Sequence, residues 1–133
     1  MFGEPTLVST GYFAQVEKYI AAGYQPISIA LVRPWFLKPS RPLKELTELA
    51  PTKDILALAK AGQFDAYEEA YRTKILGKLN LMDIRRKITT LAYDRGGRAV
   101  LLCYESPEKF CHRHLVAKWL TEKTHIEVRE FPV

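Results

Sequence analysis

Two apolar runs of strand length, separated by long helical stretches, constrain the fold most strongly. Residues 27–32 read ISIALV and residues 99–104 read AVLLCY, and both are nearly continuous in apolar side chains. A strand that is apolar on both faces is typical of a parallel sheet covered by helices. Parallel neighbours need crossovers of about a dozen residues or more, which the intervening helical patterns supply. The sequence therefore predicts an α/β domain with a small, mainly parallel sheet.

The same periodicity places about four strands with helices between them, in one three-layer domain over residues 1–133. Strands are predicted at 5–9, 27–32, 98–105 and 125–131, the last as an edge strand. Helices are predicted at 12–23, 54–62, 64–80, 81–97 and 106–124. Residues 33–53 hold four prolines and several basic residues, which predicts an irregular, mobile flap with a short helix around 43–49.

Composition excludes several classes of protein. With 47% hydrophobic and 26% charged residues, the chain is neither collagenous nor disordered. The longest apolar run has six residues, far below the roughly twenty that span a bilayer, and the first ten residues lack the pattern of a secretory signal. A cytoplasmic protein is predicted, and its two cysteines are expected to be reduced thiols. The net charge of +5 permits an anionic ligand or nucleic acid.

The strand exits are the expected place for function, because open parallel sheets bind ligands outside the carboxyl ends of their strands. The predicted exits are Ser9–Gly11, Arg33–Pro34 and Tyr104–Ser106. The third exit leads within ten residues from Glu105 to a Cys-His-Arg sequence at 111–113. This density of acid, thiol, imidazole and guanidinium is the main functional signal.

Each group at this exit has a functional and a purely structural interpretation. His112 lies near the middle of the apolar stripe of its helix and is predicted to point inward. It is either a general acid or base, or a core histidine that is hydrogen-bonded to a backbone carbonyl. Arg113, with Arg33 and a helix start at Ser106–Glu108, could hold an anion. It could equally form a surface salt bridge with Glu105 or Glu108. Cys111 is a nucleophile or a small core residue.

Other chemistries have weaker support. A tyrosine-phosphatase loop needs a cysteine, five residues and then an arginine. Neither cysteine has an arginine at that spacing, which disfavours this class. Neither a GxGxxG nor a GxxxxGK[ST] sequence occurs, so no nucleotide cofactor is predicted. A zinc site could draw on Cys103, Cys111, His112, His114 or His125, but no CxxC or HxxxH spacing supports it, and no metal is predicted.

The stretch VLLCYESPEKFCHRHLVAKWL resembles the hallmark region of the bacterial and phage family labelled domain of unknown function 488. There a strand ends in a cysteine, an aromatic residue and a glutamate, and a short loop leads to a Cys-His-Arg helix. The segments STGYFAQVEKYIAAG, ISIALVRPWF and ELAPT are similar as well. The resemblance implies a compact α/β fold. It also implies motif positions for Thr10, Gly11, Arg33, Glu105, Cys111, His112 and Arg113.

Two functions are carried forward. The first is an enzyme acting on a phosphate-bearing ligand, such as a nucleotide or nucleic-acid end, with Arg33 and Arg113 holding the anion and His112 and Glu105 exchanging protons. Thr10 and Gly11 are expected near that ligand. The alternative is a non-catalytic nucleic-acid-binding module, using Lys38, Arg41 and the face formed by Arg85, Arg86 and Lys87. A phage or bacterial protein-interaction module has no sequence signature. The expected partners are therefore an anionic small molecule or nucleic acid, without a membrane or a cofactor.

Overall fold

The structure is a computed structural model that describes residues 7–32, 34, 42–105 and 111–132. Five strands form one sheet: β1 (Val8–Tyr12), β2 (Gln25–Ser28), β3 (Lys44–Glu45), β4 (Ala99–Cys103) and β5 (Arg129–Glu130). The helices are α1 (Val16–Ala21), α2 (Lys53–Lys60), α3 (Phe64–Lys74), α4 (Leu81–Leu91) and α5 (His112–Thr124). Short 3₁₀ turns lie at 13–15, 47–49, 76–78 and 93–95.

The sheet is parallel throughout, with strand order β3-β2-β4-β1-β5. β4 lies at its centre, and all five of its residues are buried. Side chains of β4 alternate between two cores. Leu101 packs on the side covered by α2 to α5, whereas Val100 and Leu102 pack on the side covered by α1. The predicted three-layer α/β class is therefore confirmed.

Local sequence signals explain most helix boundaries. Thr52 and Asn80 cap α2 and α4, because each side chain accepts a hydrogen bond from a backbone N–H three residues ahead. Gly23 and Gly96 end the elements before them with φ angles of 86° and 66°, a region that glycine adopts without steric cost. Gly23 is the stop that the sequence predicts for α1, whereas α4 ends at Leu91, before its predicted stop, and Gly96 ends the 3₁₀ turn at 93–95.

Several predicted boundaries are wrong. The second strand ends at Ser28 instead of Val32. Around 43–49, where a short helix is expected, β3 occupies 44–45 and only 47–49 is helical, as a 3₁₀ turn. β3 forms because its backbone pairs with that of β2, and the N–H of Leu46 donates to Ser28 O. This long-range pairing leaves no local pattern in the sequence. α5 begins at His112 because Cys111 is extended, with φ −155° and ψ 147°. The predicted cap at Ser106–Glu108 lies outside the described residues.

The first strand exit also differs from its prediction. β1 continues to Tyr12, so Thr10 and Gly11 lie inside a strand. Gly11 is required there by a close approach, since a Cβ on it would lie 2.6 Å from Cζ of the Tyr19 ring. Tyr19 cannot move away easily, because its hydroxyl accepts the Tyr12 N–H at 3.1 Å and its ring packs edge-on against Phe131. Gly11 is thus explained by packing.

We expect Gly11→Ala to lower the free energy of unfolding by about 1 to 3 kcal/mol, the usual cost of overpacking a core. Denaturant unfolding followed by circular dichroism measures this change. Tyr19→Phe and the double variant Gly11→Ala/Tyr19→Phe serve as controls. The loss of stability measured for the double variant should be smaller than the sum of the losses of the two single variants. Strict additivity would show that the methyl group and the phenol do not meet.

Candidate active site at the carboxyl edge of the sheet

A cleft of about 790 Å³ opens at the carboxyl ends of β2 and β4, and we call it the carboxyl-edge cleft. One wall is apolar and consists of Leu31 and Val32 after β2, with Leu56, Phe64 and Tyr67 from α2 and α3. The lining also includes Cys103, Glu105, Cys111 and His112, and Lys60 is an exposed lining residue. The two strand ends and the start of α5 meet here because parallel strands deliver their carboxyl ends to one edge.

His112 is fixed in one orientation at the end of the carboxyl-edge cleft. Its Nε2 lies 2.6 Å from the carbonyl oxygen of Ile29, and its ring packs against Tyr71 at 5.4 Å between centroids. A carbonyl only accepts, so Nε2 carries the proton and Nδ1 presents a lone pair. Nδ1 lies 3.9 Å from Cys111 Sγ. The prediction that His112 points inward is confirmed.

Burial controls the charge of His112. Loss of hydration is the largest influence and lowers the pKa of His112 to about 4, although the hydrogen bond to Ile29 acts in the opposite direction. The Arg113 charge lowers the pKa of His112 further. The imidazole is therefore neutral at pH 7, with a proton donor on one side and an acceptor on the other.

Cys103 and Cys111 are joined by a disulfide, with Cα atoms 7.0 Å apart. The sequence predicts reduced thiols, and the structure differs because the end of β4 and the start of α5 meet at the same edge. Nothing in the eight-residue spacing signals that meeting. The predicted burial of Cys103 in the core is confirmed, and Cys111 is buried as well.

Arg113 belongs to a buried ion pair and is absent from the lining of the carboxyl-edge cleft. Its Nε and Nη2 donate to the two carboxylate oxygens of Glu130 at 3.1 and 3.0 Å, a bidentate arrangement. Its Nη1 lies 3.2 Å from Cys103 Sγ, and its guanidinium carbon lies 5.8 Å from the Tyr12 ring centroid. Thr10 completes the network by donating its hydroxyl hydrogen to Glu130 at 2.6 Å.

Arg113 pairs with Glu130 instead of Glu105, and Glu108 lies outside the described residues. Glu130 is not predicted from the sequence, although one signal for it exists. Along the predicted edge strand, Ile126, Val128 and Glu130 alternate with polar residues, so the acid occupies an apolar position. Lys60, Phe64 and Tyr67 are also missed as cleft residues, because helical periodicity alone indicates a core face.

The remaining predicted residues divide into three groups. Glu105 lies in the carboxyl-edge cleft with Cys111 and His112, whereas Thr10 lies beneath it in the Glu130 network. Arg33, Lys38 and Arg41 lie outside the described residues, as does much of the predicted flap. Arg85, Arg86 and Lys87 are exposed on α4, where Arg86 pairs with Asp83 and Lys87 pairs with Glu48.

Arg85 lines a second, smaller depression of about 200 Å³ at the amino ends of the strands, which we call the amino-edge cleft. Val8, Gly97 and Val128, which precede or begin β1, β4 and β5, form part of it. The two clefts thus lie at opposite edges of the sheet, and the basic face of α4 is remote from His112. Among the described residues, no helix has both the length and the apolar character needed to cross a membrane.

Comparison with known proteins gives one match. A family model, DUF488-N3a, described as the active DUF488-N3 subclade, matches residues 37–124. The matched range contains α2 to α5 and β4, and so includes Glu105 and the Cys-His-Arg sequence. Neither the curated proteins nor the solved structures compared with the chain give a match.

Proposed function

The chain belongs to the DUF488-N3a family, and we propose that its carboxyl-edge cleft is the active site of an enzyme for a phosphate-bearing ligand, such as a nucleotide or nucleic-acid end. One observation carries the proposal. The cleft lies at the carboxyl edge of a parallel sheet, and the cysteine, imidazole and carboxylate side chains of the motif all line it. The description of the subclade as active supports an enzyme.

The walls of the cleft fit the two parts of such a ligand. Phe64, which is 46% exposed, offers aromatic surface to a planar base, and Leu31 and Leu56 add apolar surface to the same cleft. An anionic group is attracted to the start of α5, because this helix of thirteen residues has its positive dipole end at His112, which lines the cleft. Lys60 adds an exposed cation to the lining. The volume of about 790 Å³ is within the range of small-molecule sites.

The roles within the cleft follow from exposure and hydrogen bonding. Glu105 is exposed and exchanges protons with the bound ligand. His112 presents its Nδ1 lone pair toward Cys111, since its Nε2 proton is held by Ile29. Arg113 acts as a positioning residue, because its guanidinium is occupied by Glu130 and also donates to Cys103 Sγ, while Thr10 donates to the same carboxylate.

The proposal predicts that a nucleotide stabilises the reduced protein. At a hundred times its Kd, a ligand adds about 2.7 kcal/mol to stability, a rise in Tm of roughly 10 °C for a chain of this size. Differential scanning fluorimetry in a reducing buffer tests inorganic phosphate, nucleoside mono-, di- and triphosphates and short oligonucleotides. We expect Phe64→Ala and Lys60→Ala to abolish most of the rise.

The matched controls are Tyr93→Ala and Lys118→Ala, which remove an exposed aromatic ring and an exposed amine that do not line the cleft. Phe64 is 46% exposed, and circular dichroism verifies that Phe64→Ala folds. A rise in Tm that survives the two cleft substitutions as well as it survives the controls would contradict the proposal. The absence of a rise with every ligand would contradict it too.

A further inference from the structure

Three soft or borderline metal ligands meet at the closed end of the carboxyl-edge cleft. The Sγ atoms of Cys103 and Cys111 and a ring nitrogen of His112 all lie within 4.8 Å of one another, and all three residues are buried. Buried thiolate and imidazole donors in this combination suit zinc and exclude calcium and magnesium, which prefer oxygen ligands. The residues come from two elements, the end of β4 and the start of α5.

The imidazole is oriented as a metal ligand should be. Metal-binding histidines almost always donate their second ring N–H to a carboxylate, a backbone carbonyl or water, which fixes the tautomer and aims the other nitrogen. His112 has this arrangement, because its Nε2 donates to Ile29 O at 2.6 Å and its Nδ1 is on the side of Cys111 Sγ. The lone pair is therefore directed at the sulfur atoms before any metal binds.

Cys111 Sγ and His112 Nδ1 are spaced nearly as two ligands of a tetrahedral zinc site are. Zinc–sulfur bonds of about 2.3 Å and zinc–nitrogen bonds of about 2.05 Å place S and N about 3.6 Å apart at the tetrahedral angle. The distance between Cys111 Sγ and His112 Nδ1 is 3.9 Å, which is close to that value. The two Sγ atoms are bonded to each other, so the thiols formed by reduction must rotate apart to complete the geometry.

We infer that the reduced protein binds one divalent cation of the zinc class through Cys103 Sγ, Cys111 Sγ and His112 Nδ1, with the fourth coordination position open to the carboxyl-edge cleft. A dithiol or phosphine reductant first converts the disulfide to two thiols. The cation then displaces one proton from each thiol, so that binding releases two protons and forms two metal–sulfur bonds. The disulfide and the metal site are therefore alternative states of the same two cysteines.

The charges around the site allow a cation. Two thiolates neutralise the charge of a divalent ion, and the imidazole adds none. Arg113 approaches Cys103 Sγ at 3.2 Å, but its charge is compensated by the bidentate contact with Glu130. Its N–H group donates to the sulfur, as partners around metal-bound thiolates do.

An open fourth position would give the site a catalytic form, because structural zinc sites have four protein ligands whereas catalytic ones retain a water. Cys103, Cys111 and His112 all line the cleft, and exposed Glu105 lines it too. The role of the ion in catalysis depends on the proposed function, since a bound water or a phosphate oxygen would take that position. Binding of the ion does not depend on the proposed function.

Cobalt titration of the whole, reduced chain tests the inference. The protein is reduced with a phosphine, and assay of two free thiols per chain confirms the reduced state before Co²⁺ is added without oxygen. We expect one equivalent of Co²⁺ to produce the visible bands of tetrahedral cobalt and the near-ultraviolet charge-transfer band of cobalt–thiolate bonds. Zn²⁺ should displace it and remove both signals.

The matched variants are His112→Gln and Cys111→Ser against His125→Gln, which changes an exposed histidine at the end of α5. Loss of a ligand should weaken cobalt binding by more than about a hundredfold, beyond the effect of removing an outer partner, and His125→Gln should leave it unchanged. Absence of the charge-transfer band in the wild type with two titrated thiols overturns the inference. Equal binding by Cys111→Ser and His125→Gln overturns it as well, and circular dichroism verifies that each variant folds.

The metal site and the proposed function fail separately. If the protein binds cobalt with thiolate bands but no phosphate ligand raises its Tm, the metal site stands and the proposed function is wrong. If a nucleotide raises the Tm of the reduced protein but no thiolate band develops, the proposed function stands and the metal site is wrong.

Discussion

Glu130→Gln is expected to lower the free energy of unfolding by about 3 to 5 kcal/mol, because it leaves the Arg113 guanidinium buried without a counter-charge. Arg113 is 0% exposed, and within the described part of the chain its two contacts with carboxylate oxygens are made to Glu130. The substitution also takes a strong acceptor from the Thr10 hydroxyl. Urea unfolding followed by circular dichroism measures the loss.

The complementary variants separate charge burial from packing. Arg113→Met leaves Glu130, whose side chain is 24% exposed and can recover water, so we expect a smaller loss than for Glu130→Gln. The double variant should be more stable than Glu130→Gln alone, since no uncompensated guanidinium remains. A loss below about 1 kcal/mol for Glu130→Gln, or a double variant less stable than both single ones, would contradict the buried pair.

Leu101→Ala is expected to cost about 2 to 5 kcal/mol, the range for truncating a leucine in a rigid core. Leu101 lies in the central strand with Thr10 of β1 and Ile27 of β2 as its neighbours, and it is fully buried under the layer of α2 to α5. The parallel strands and helices around it have little freedom to close the resulting cavity. Chemical unfolding at 25 °C gives the loss directly.

Met82→Ala is the control for Leu101→Ala. Met82 lies on α4 with 57% of its surface exposed, and its truncation should change the free energy of unfolding by no more than about 0.5 kcal/mol. Equal losses for the two variants would show that Leu101 does not lie in a packed core. A loss confined to Leu101→Ala supports the sheet order from which the site is built.

The parts of the fold that depend on local pattern could be predicted from the sequence. β4 is a continuous apolar run with every residue buried, and the inward direction of His112 follows from its place on the helical stripe. The same holds for the stop of α1 at Gly23, where the backbone is left-handed. The single domain over 1–133 and the cytoplasmic location stay predictions.

The parts that depend on long-range pairing could not be predicted. β3 has two residues and exists only because it pairs with β2. β2 ends at Ser28 although the apolar run continues to Val32, because Ile29 turns its carbonyl to His112, a residue 83 positions away in sequence. The disulfide between Cys103 and Cys111 belongs to the same class of contact, since topology alone brings the two elements together.

Glu130 shows how the motif residues could be found while their roles could not. Arg113 is recognisable from the Cys-His-Arg sequence, and a guanidinium near a sheet edge is a reasonable anion ligand. Its partner lies 17 residues later in β5, which joins the sheet on the far side of β1. Only the strand order makes Arg113 a buried structural cation.

The most direct test of the carboxyl-edge cleft is an NMR titration of ¹⁵N-labelled, reduced protein with a nucleoside triphosphate. If the cleft is the ligand site, the largest amide shifts occur around it, at Ala30, Lys60, Glu105 and His112. Shifts confined to Arg85, Thr89 and Gly97 would place the ligand at the amino-edge cleft, beside the basic face of α4. That result would contradict the account and favour a nucleic-acid-binding module.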